Sequence, residues 1–290
     1  MEFSNTKGFI QLDFLLKSKT AEQLYFQYAE AMPVIDYHNH LSPEIIAKNQ
    51  AFRDINAVWL DGDHYKWRAM RTLGIEEKFI TGNSSSKEKF DQWAKTVPYT
   101  VGNPLFHWTH LELKRHFNIS DLLQPSSSDA IFEETNHQLK SLLPNQMLKN
   151  MKVEMLCTTD DPIDDLKHHQ QIKKNNFGPK VLPGFRPDKI FGINTEDYLD
   201  YLNALADSSG VNINSLQTLL DALKSRITYF HENGCRISDH GLEYTYASDY
   251  SLKAVDASLK KRISGKKISE EDTLAFNSCV LFELFVMYHE

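Results

Sequence analysis

Pro33-Val-Ile-Asp-Tyr-His-Asn-His40 starts apolar and ends in ionisable residues, and Ser42-Pro43-Glu44 follows with a helix N-cap, a proline at the first helical position and an acid in the first turn. A short apolar run that hands over to a helix in this way reads as a strand of a parallel sheet. Three further runs repeat the pattern. Lys152-Val-Glu-Met-Leu-Cys-Thr-Thr-Asp160 is followed by Asp161-Pro162, again a cap and a proline expected to open a helix. Lys180-Val-Leu-Pro-Gly-Phe-Arg-Pro-Asp188 precedes a helix predicted to open at Asn194–Asp197. Cys235-Arg-Ile-Ser-Asp-His240 comes after a helix whose Leu216, Leu219, Leu220, Leu223, Ile227 and Phe230 recur at spacings of three and four, and which stops at Gly234.

Strands that alternate with amphipathic helices make βαβ units, so the fold class is α/β with parallel pairing. All four runs end in polar residues at the edge where α/β barrels gather their chemistry. The connection between the first and second runs is far longer than an ordinary βα loop and is helical in character, rich in Trp and His. The organisation expected is therefore an N-terminal helical extension over 1-32, a first barrel strand and loop over 33-42, an inserted helical subdomain over 43-150, and further βα units of the barrel over 151-290. Lys260–Lys267 reads as a basic solvated turn. The last helix opens at Ser269-Glu-Glu-Asp272 and runs through Leu274, Phe276, Val280, Leu281, Leu284 and Phe285 with no stop signal before Glu290. Natural domains rarely end inside an apolar helix, so part of the domain is expected to be missing.

The chain has 290 residues, 41% hydrophobic and 24% charged, which is ordinary for a globular protein. A formal charge of -7 argues against a general nucleic-acid binder or an anionic-membrane binder, both of which want a basic surface. It leaves room for an acidic small molecule held by a few local arginines. Met1–Leu16 lacks a basic n-region and does not read as a signal peptide, and no apolar run approaches the ~20 residues that cross a bilayer. Cys157, Cys235 and Cys279 are odd in number and widely spaced, as reduced thiols of a cytoplasmic protein would be. Phosphate loops, CxxC pairs and a nucleophile elbow are absent from the sequence.

His38 and His40 stand two apart at the end of the first run, and side chains at that spacing share a face of a strand. Two imidazoles there can converge on one divalent metal; the alternative is a pair of polar loop histidines at a barrel rim. Asp63-His64-Tyr65-Lys66-Trp67-Arg68 opens a helix, with His64 and Tyr65 either a proton-carrying pair or part of a capped surface helix with an aromatic anchor. Arg186 suits two-pronged capture of a carboxylate, against an ion pair with Asp188 at a rim. Asp239-His240 can bond sugar hydroxyls or move a proton; otherwise the aspartate caps a helix and the histidine is solvated. Asp160 and Asp161 are weaker candidates, since capping alone accounts for Asp161-Pro162. His107, His110 and His116 have aromatic and Leu neighbours and read as a packed helical surface.

Taken in order, Asp36-Tyr-His-Asn-His-Leu-Ser-Pro43, Asp63-His-Tyr-Lys-Trp-Arg-Ala-Met-Arg71, Phe106-His-Trp-Thr-His-Leu-Glu-Leu113, Leu182-Pro-Gly-Phe-Arg-Pro-Asp-Lys189 and Ser238-Asp-His-Gly241 resemble the uronate (glucuronate) isomerases of the amidohydrolase superfamily, in the N-terminal part of that family's length. The resemblance implies a distorted (β/α)8 TIM-like barrel, of which about the first half is visible here. It implies interconversion of D-glucuronate with D-fructuronate, and of D-galacturonate with D-tagaturonate. It implies a divalent metal, usually zinc, on His38 and His40, a His64–Tyr65 pair, a substrate-binding Arg186 and an active-site Asp239. The family goes on to a strand with a Gln-Leu-His block and a last-strand aspartate that completes the metal site, neither of which this sequence contains. This chain alone is accordingly expected neither to hold catalytic zinc tightly nor to turn over uronates. The expected partner is a small uronate, with no nucleic acid and no membrane, and a homo-oligomer stays open. A metal-dependent hydrolase of the same superfamily is the alternative, although Ser238-Asp239-His240 supplies no bridging lysine. A non-catalytic carbohydrate-binding or assembly fragment is the third reading.

Overall fold

The structure, a computed structural model, describes residues 8–176 and 178–290. The first residues of the segment tested for a signal peptide, 1–7, lie outside the described residues. Among the described residues the sheet has three strands in the order β1 (Val34–Asp36), β2 (Val153–Cys157) and β3 (Lys180–Leu182), all parallel. Val34 pairs with Val153, the register slips at a bulge, and Ile35 and Asp36 pair with Met155 and Leu156. Met155, Leu156 and Cys157 then pair with Lys180, Val181 and Leu182.

The fourth run is a correction to the sequence reading. Cys235–His240 forms no regular strand and joins the sheet through single bridges, Asp160 to Phe185 and Phe185 to Ser238. The physical reason lies in its neighbour: Pro183 ends β3 because it has no N–H to offer the ladder, and pairing resumes only at Phe185. Asp161-Pro162 is a second correction. The Asp161 side chain accepts the Ile163 N–H and its carbonyl accepts the Asp164 N–H, which closes a turn, and the helix begins later at Lys167. Lys260–Lys267 is a third. The helix Leu252–Ile263 runs through its first half, and Arg262 is buried, donating to the carbonyls of Ile193 and Thr195.

Two compact units divide the described chain. The helical unit takes the residues up to Pro33 together with Lys48–Lys152. Its core joins Trp59, Met70, Phe90, Trp93, Leu113 and Ile131. Local signals set its helices. Ser85 and Glu88 form a reciprocal capping box on Ser86–Thr96, and Asn103 caps Pro104–Phe117, which ends at Asn118 in the left-handed conformation. His110 lies inside this unit: its Nδ1 meets the Phe106 carbonyl and its Nε2 accepts the Leu123 N–H, which makes it a packing histidine.

The sheet unit comprises Val34–Ala47 and Val153–Glu290. Helices Tyr198–Ser209, Leu216–Glu232, Leu252–Ile263 and Glu270–His289 bury Tyr198, Leu205, Leu223, Phe230, Leu259 and Phe276 in its core. Leu216–Glu232 follows its sequence period, burying the Leu216, Leu219, Leu220 and Leu223 face. Ser269 caps the final helix through the Asp272 N–H. No helix among the described residues is long and apolar enough to cross a membrane.

Candidate active site

The loop after β1 is shaped by the residue between its two histidines. Asn39 donates to the Asp36 carboxylate (2.5 Å), accepts the Leu41 N–H on Oδ1 (2.6 Å), and receives the Thr159 hydroxyl on its carbonyl (2.9 Å). With Asn39 tied back to its own loop and to the end of β2, His38 and His40 share the other side. Their Nε2 atoms are 3.1 Å apart and their rings stand nearly perpendicular at 82°.

The bridges beyond β3 bring the other residues in. Thr158 N–H donates to Leu182 O, Asp160 N–H to Gly184 O, Arg186 N–H to Asp160 O, Phe185 N–H to Ile237 O, and Asp239 N–H to Phe185 O. This irregular ladder needs Gly184, since a Cβ there would come within 2.5 Å of the Thr158 carbonyl oxygen. It sets Arg186 beside Asp239, with Nη1 3.1 Å from Asp239 Oδ2. The same oxygen is 3.5 Å from His38 Nδ1. Oδ2 is shielded from solvent and makes no hydrogen bond of good geometry, so it faces the cluster as an acceptor held by charge attraction. His38, His40, Arg186 and Asp239 thus stand together at the C-terminal edge of the sheet.

Arg186 is held from behind as well. Its Nε donates to Asp188 Oδ2 at 2.7 Å, so the ion pair weighed from sequence is present alongside the contact with Asp239. Burial alone would lift the Asp188 carboxyl, but hydrogen bonds from His240, Arg186 and the Gly241 N–H bring it down to about 2. His240 is neither a helix-capping neighbour nor solvated: its Nδ1 is 3.2 Å from Asp188 Oδ1 and its Nε2 is 3.2 Å from the Tyr288 hydroxyl. Asp160 is also structural. Buried, it accepts the Thr158 hydroxyl (2.6 Å) and the Gly184 N–H (3.1 Å), and burial raises its carboxyl above the ordinary range.

His64 and Tyr65 belong to the helical unit, in the first turn of the helix His64–Thr72. Asp63 caps that turn through the N–H groups of Tyr65 and Lys66 and pairs with the buried Lys66 ammonium at 2.6 Å. Burial lifts the Asp63 carboxyl less than these Lys66 and backbone contacts lower it. The rings of His64 and Tyr65 lie 4.3 Å apart, and Tyr65 is exposed.

Sequence reasoning weighed Asp188 only as a rim partner and did not find Tyr288 or Gly241. Gly241 sits inside Ser238-Asp-His-Gly241, so its signal was present. Tyr288 had none, because an aromatic near the end of an apolar helix looks like any other core residue.

A parallel α/β sheet with a His-x-His pair, an arginine and an aspartate at its C-terminal edge has the architecture of the amidohydrolase-type barrels. The family model for glucuronate isomerase matches residues 6–290, and the chain belongs to that family. It is 49% identical to a uronate isomerase of Flavobacterium johnsoniae over 97% of this chain and 61% of that protein, and 47% identical to one of Caldicellulosiruptor bescii over 97% and 61%. The solved uronate isomerase of Thermotoga maritima superposes with a TM-score of 0.92 at 34% identity, covering 97% of this chain and 62% of that one. The glucuronate isomerase of Caulobacter crescentus shares the fold, with a TM-score of 0.86 over 93% of this chain and 59% of that one. The chain spans about three-fifths of the length of the curated relatives it matches.

Proposed function

We propose that this chain carries the carboxylate grip and part of the metal site of a uronate isomerase that interconverts D-glucuronate with D-fructuronate and D-galacturonate with D-tagaturonate. The observation that carries this reading is the meeting of His38, His40, Asp239 and Arg186 at one sheet edge in a chain of this family. An aldose–ketose isomerisation moves a proton from C2 to C1 and redistributes protons between O1 and O2, with no net change. The reaction therefore needs a group that takes and returns a carbon-bound proton, and a grip that fixes the sugar.

Arg186 is the grip. Its Nε donates to Asp188 and its Nη1 is drawn to Asp239, so a C6 carboxylate would meet the remaining N–H groups of the Nη edge, which orient the sugar. Asp239 is the carboxylate nearest that edge and is placed to exchange a proton with the substrate or bond its hydroxyls. His64 and Tyr65 are assigned to proton transfer on the family resemblance, supported by the close contact of their rings.

Two imidazole nitrogens about 2.0–2.1 Å from a tetrahedral zinc stand ~3.3 Å apart, so the 3.1 Å between the Nε2 atoms of His38 and His40 fits two ligands of such an ion. The Nδ1 of His38 faces Asp239, the kind of carboxylate partner that orients a metal-binding imidazole. Among the described residues no group of three His, Cys, Asp or Glu is gathered for a metal, and His38 and His40 would supply two of its donors. When bound, a divalent ion would polarise a sugar oxygen as a Lewis acid. Three buried free thiols, Cys157, Cys235 and Cys279, support a cytoplasmic setting.

The test measures D-glucuronate conversion to D-fructuronate by NMR, with zinc content determined on the same protein, in a complete enzyme that carries this chain and in its His38→Ala/His40→Ala variant. Both bound zinc and turnover are expected to fall together. Undiminished turnover in the double variant would sink the reading.

A further inference from the structure

We infer that Gly241 is a positioning residue for Arg186: the missing side chain at 241 is the space in which the guanidinium lies between Asp188 and Asp239. This rests on the reading of Arg186 as the carboxylate grip. A Cβ built on Gly241 would overlap Nη2 of Arg186, and would stand 3.2 Å from both Arg186 Cζ and Asp188 Oδ2. The backbone of Gly241 lies outside the left-handed region, so its conformation itself accepts an alanine. Space is what the position requires.

The end of a flexible side chain would ordinarily give way to a methyl group, but here both sides of the contact are fixed. Arg186 is fastened at Nε to Asp188 Oδ2 (2.7 Å) and drawn at Nη1 to Asp239 Oδ2 (3.1 Å). The Gly241 N–H donates to the same Asp188 Oδ2 (2.7 Å). Its neighbour His240 is held between Asp188 Oδ1 and the Tyr288 hydroxyl, each at 3.2 Å, so the backbone cannot slide outward freely. The added carbon is relieved by turning the guanidinium off Asp188, which re-aims the Nη edge offered to a substrate carboxylate. A grip off its axis by an ångström loses the two-pronged geometry that separates a carboxylate from a hydroxyl.

The experiment reads the arginine directly. In the chain labelled with 15N-arginine, the Arg186 Nε–H signal is assigned by its absence in Arg186→Lys, and its exchange with water is measured. Gly241→Ala and Asp188→Asn should each speed that exchange at least about ten-fold, as loss of one charge-assisted hydrogen bond implies. D-glucuronate affinity should weaken by about the same factor in Gly241→Ala, and adding Gly241→Ala to Arg186→Lys should weaken it no further, because the glycine acts only through the arginine. An unchanged Arg186 exchange rate in Gly241→Ala overturns the inference, as do multiplying effects in the double variant or an unfolded Gly241→Ala. Wild-type protein that binds no D-glucuronate would defeat the carboxylate reading, while the exchange measurement would still decide the role of Gly241.

Discussion

Arg226→Met should destabilise the sheet unit by about 3–4 kcal/mol, although Arg226 has no part in the proposed chemistry. The guanidinium is 6% exposed and donates three hydrogen bonds to main-chain carbonyls: Pro162 at 2.6 Å, Ser208 at 2.8 Å and Asp164 at 2.8 Å. It thereby ties the turn after β2 to the end of Tyr198–Ser209 from within Leu216–Glu232. Each carbonyl stripped of its donor costs ~1–3 kcal/mol, so three give roughly 3–9 kcal/mol. Stacking of the guanidinium on Tyr229, 4.2 Å from the ring centre, adds about 0.5–1 kcal/mol. Against this, burial lowers the Arg226 pKa, which means that burying the charge is itself unfavourable, and methionine removes that penalty while filling much of the volume. The difference leaves the lower part of the range. Urea unfolding followed by far-UV circular dichroism measures it, with tryptophan emission recorded in parallel because Trp59, Trp67, Trp93 and Trp108 all lie in the helical unit. A loss under about 1 kcal/mol would show that water replaces the guanidinium at those carbonyls, and would refute the argument.

Arg186→Lys should weaken D-glucuronate binding by about ten- to a hundred-fold, since a point charge replaces a planar two-pronged donor; calorimetry showing unchanged affinity would move carboxylate recognition elsewhere. In a complete enzyme, Tyr65→Phe should lower kcat far more than it raises KM, because it deletes a proton carrier and little volume, and near wild-type turnover would leave Tyr65 a packing residue. The acid limb of stability should carry a contribution from His169. Burial, then the neighbouring charge of His168, lowers its pKa to about 4. Thr158 gives its own proton to Asp160, so His169 Nε2 must donate to the Thr158 hydroxyl, and protonating the buried, unpartnered Nδ1 would strand an N–H. The unfolded chain therefore binds the extra proton between pH ~6.5 and about 4, and stability falls as pH drops through that window, by up to about 3 kcal/mol. Asp160, raised by burial, acts in the opposite sense, so the measured quantity is the difference between wild type and His169→Gln in urea melts; parallel pH profiles for the two would contradict it.

What the sequence determined by itself was local and periodic. Capping residue Ser269 begins its helix where it stands, because a cap satisfies N–H groups within a few residues of itself and needs nothing distant. The pairing of His38 with His40 was legible for the same reason, since residues two apart on an extended chain share a side. The parallel strands followed from their alternation with amphipathic helices. Asp161-Pro162 misled because a cap and a proline fit a turn as well as a helix, and the choice falls to what packs around it, here Arg226 on the Pro162 and Asp164 carbonyls. Only the tertiary structure decided that Asp188 and Asp239 would flank one guanidinium, that His240 would be fastened to Tyr288, and that Gly241 would leave room for Nη2. Apart from the short Arg186–Asp188 pair, those contacts join residues dozens of positions apart across an irregular ladder broken by Pro183, and no period or short motif encodes a distance through space.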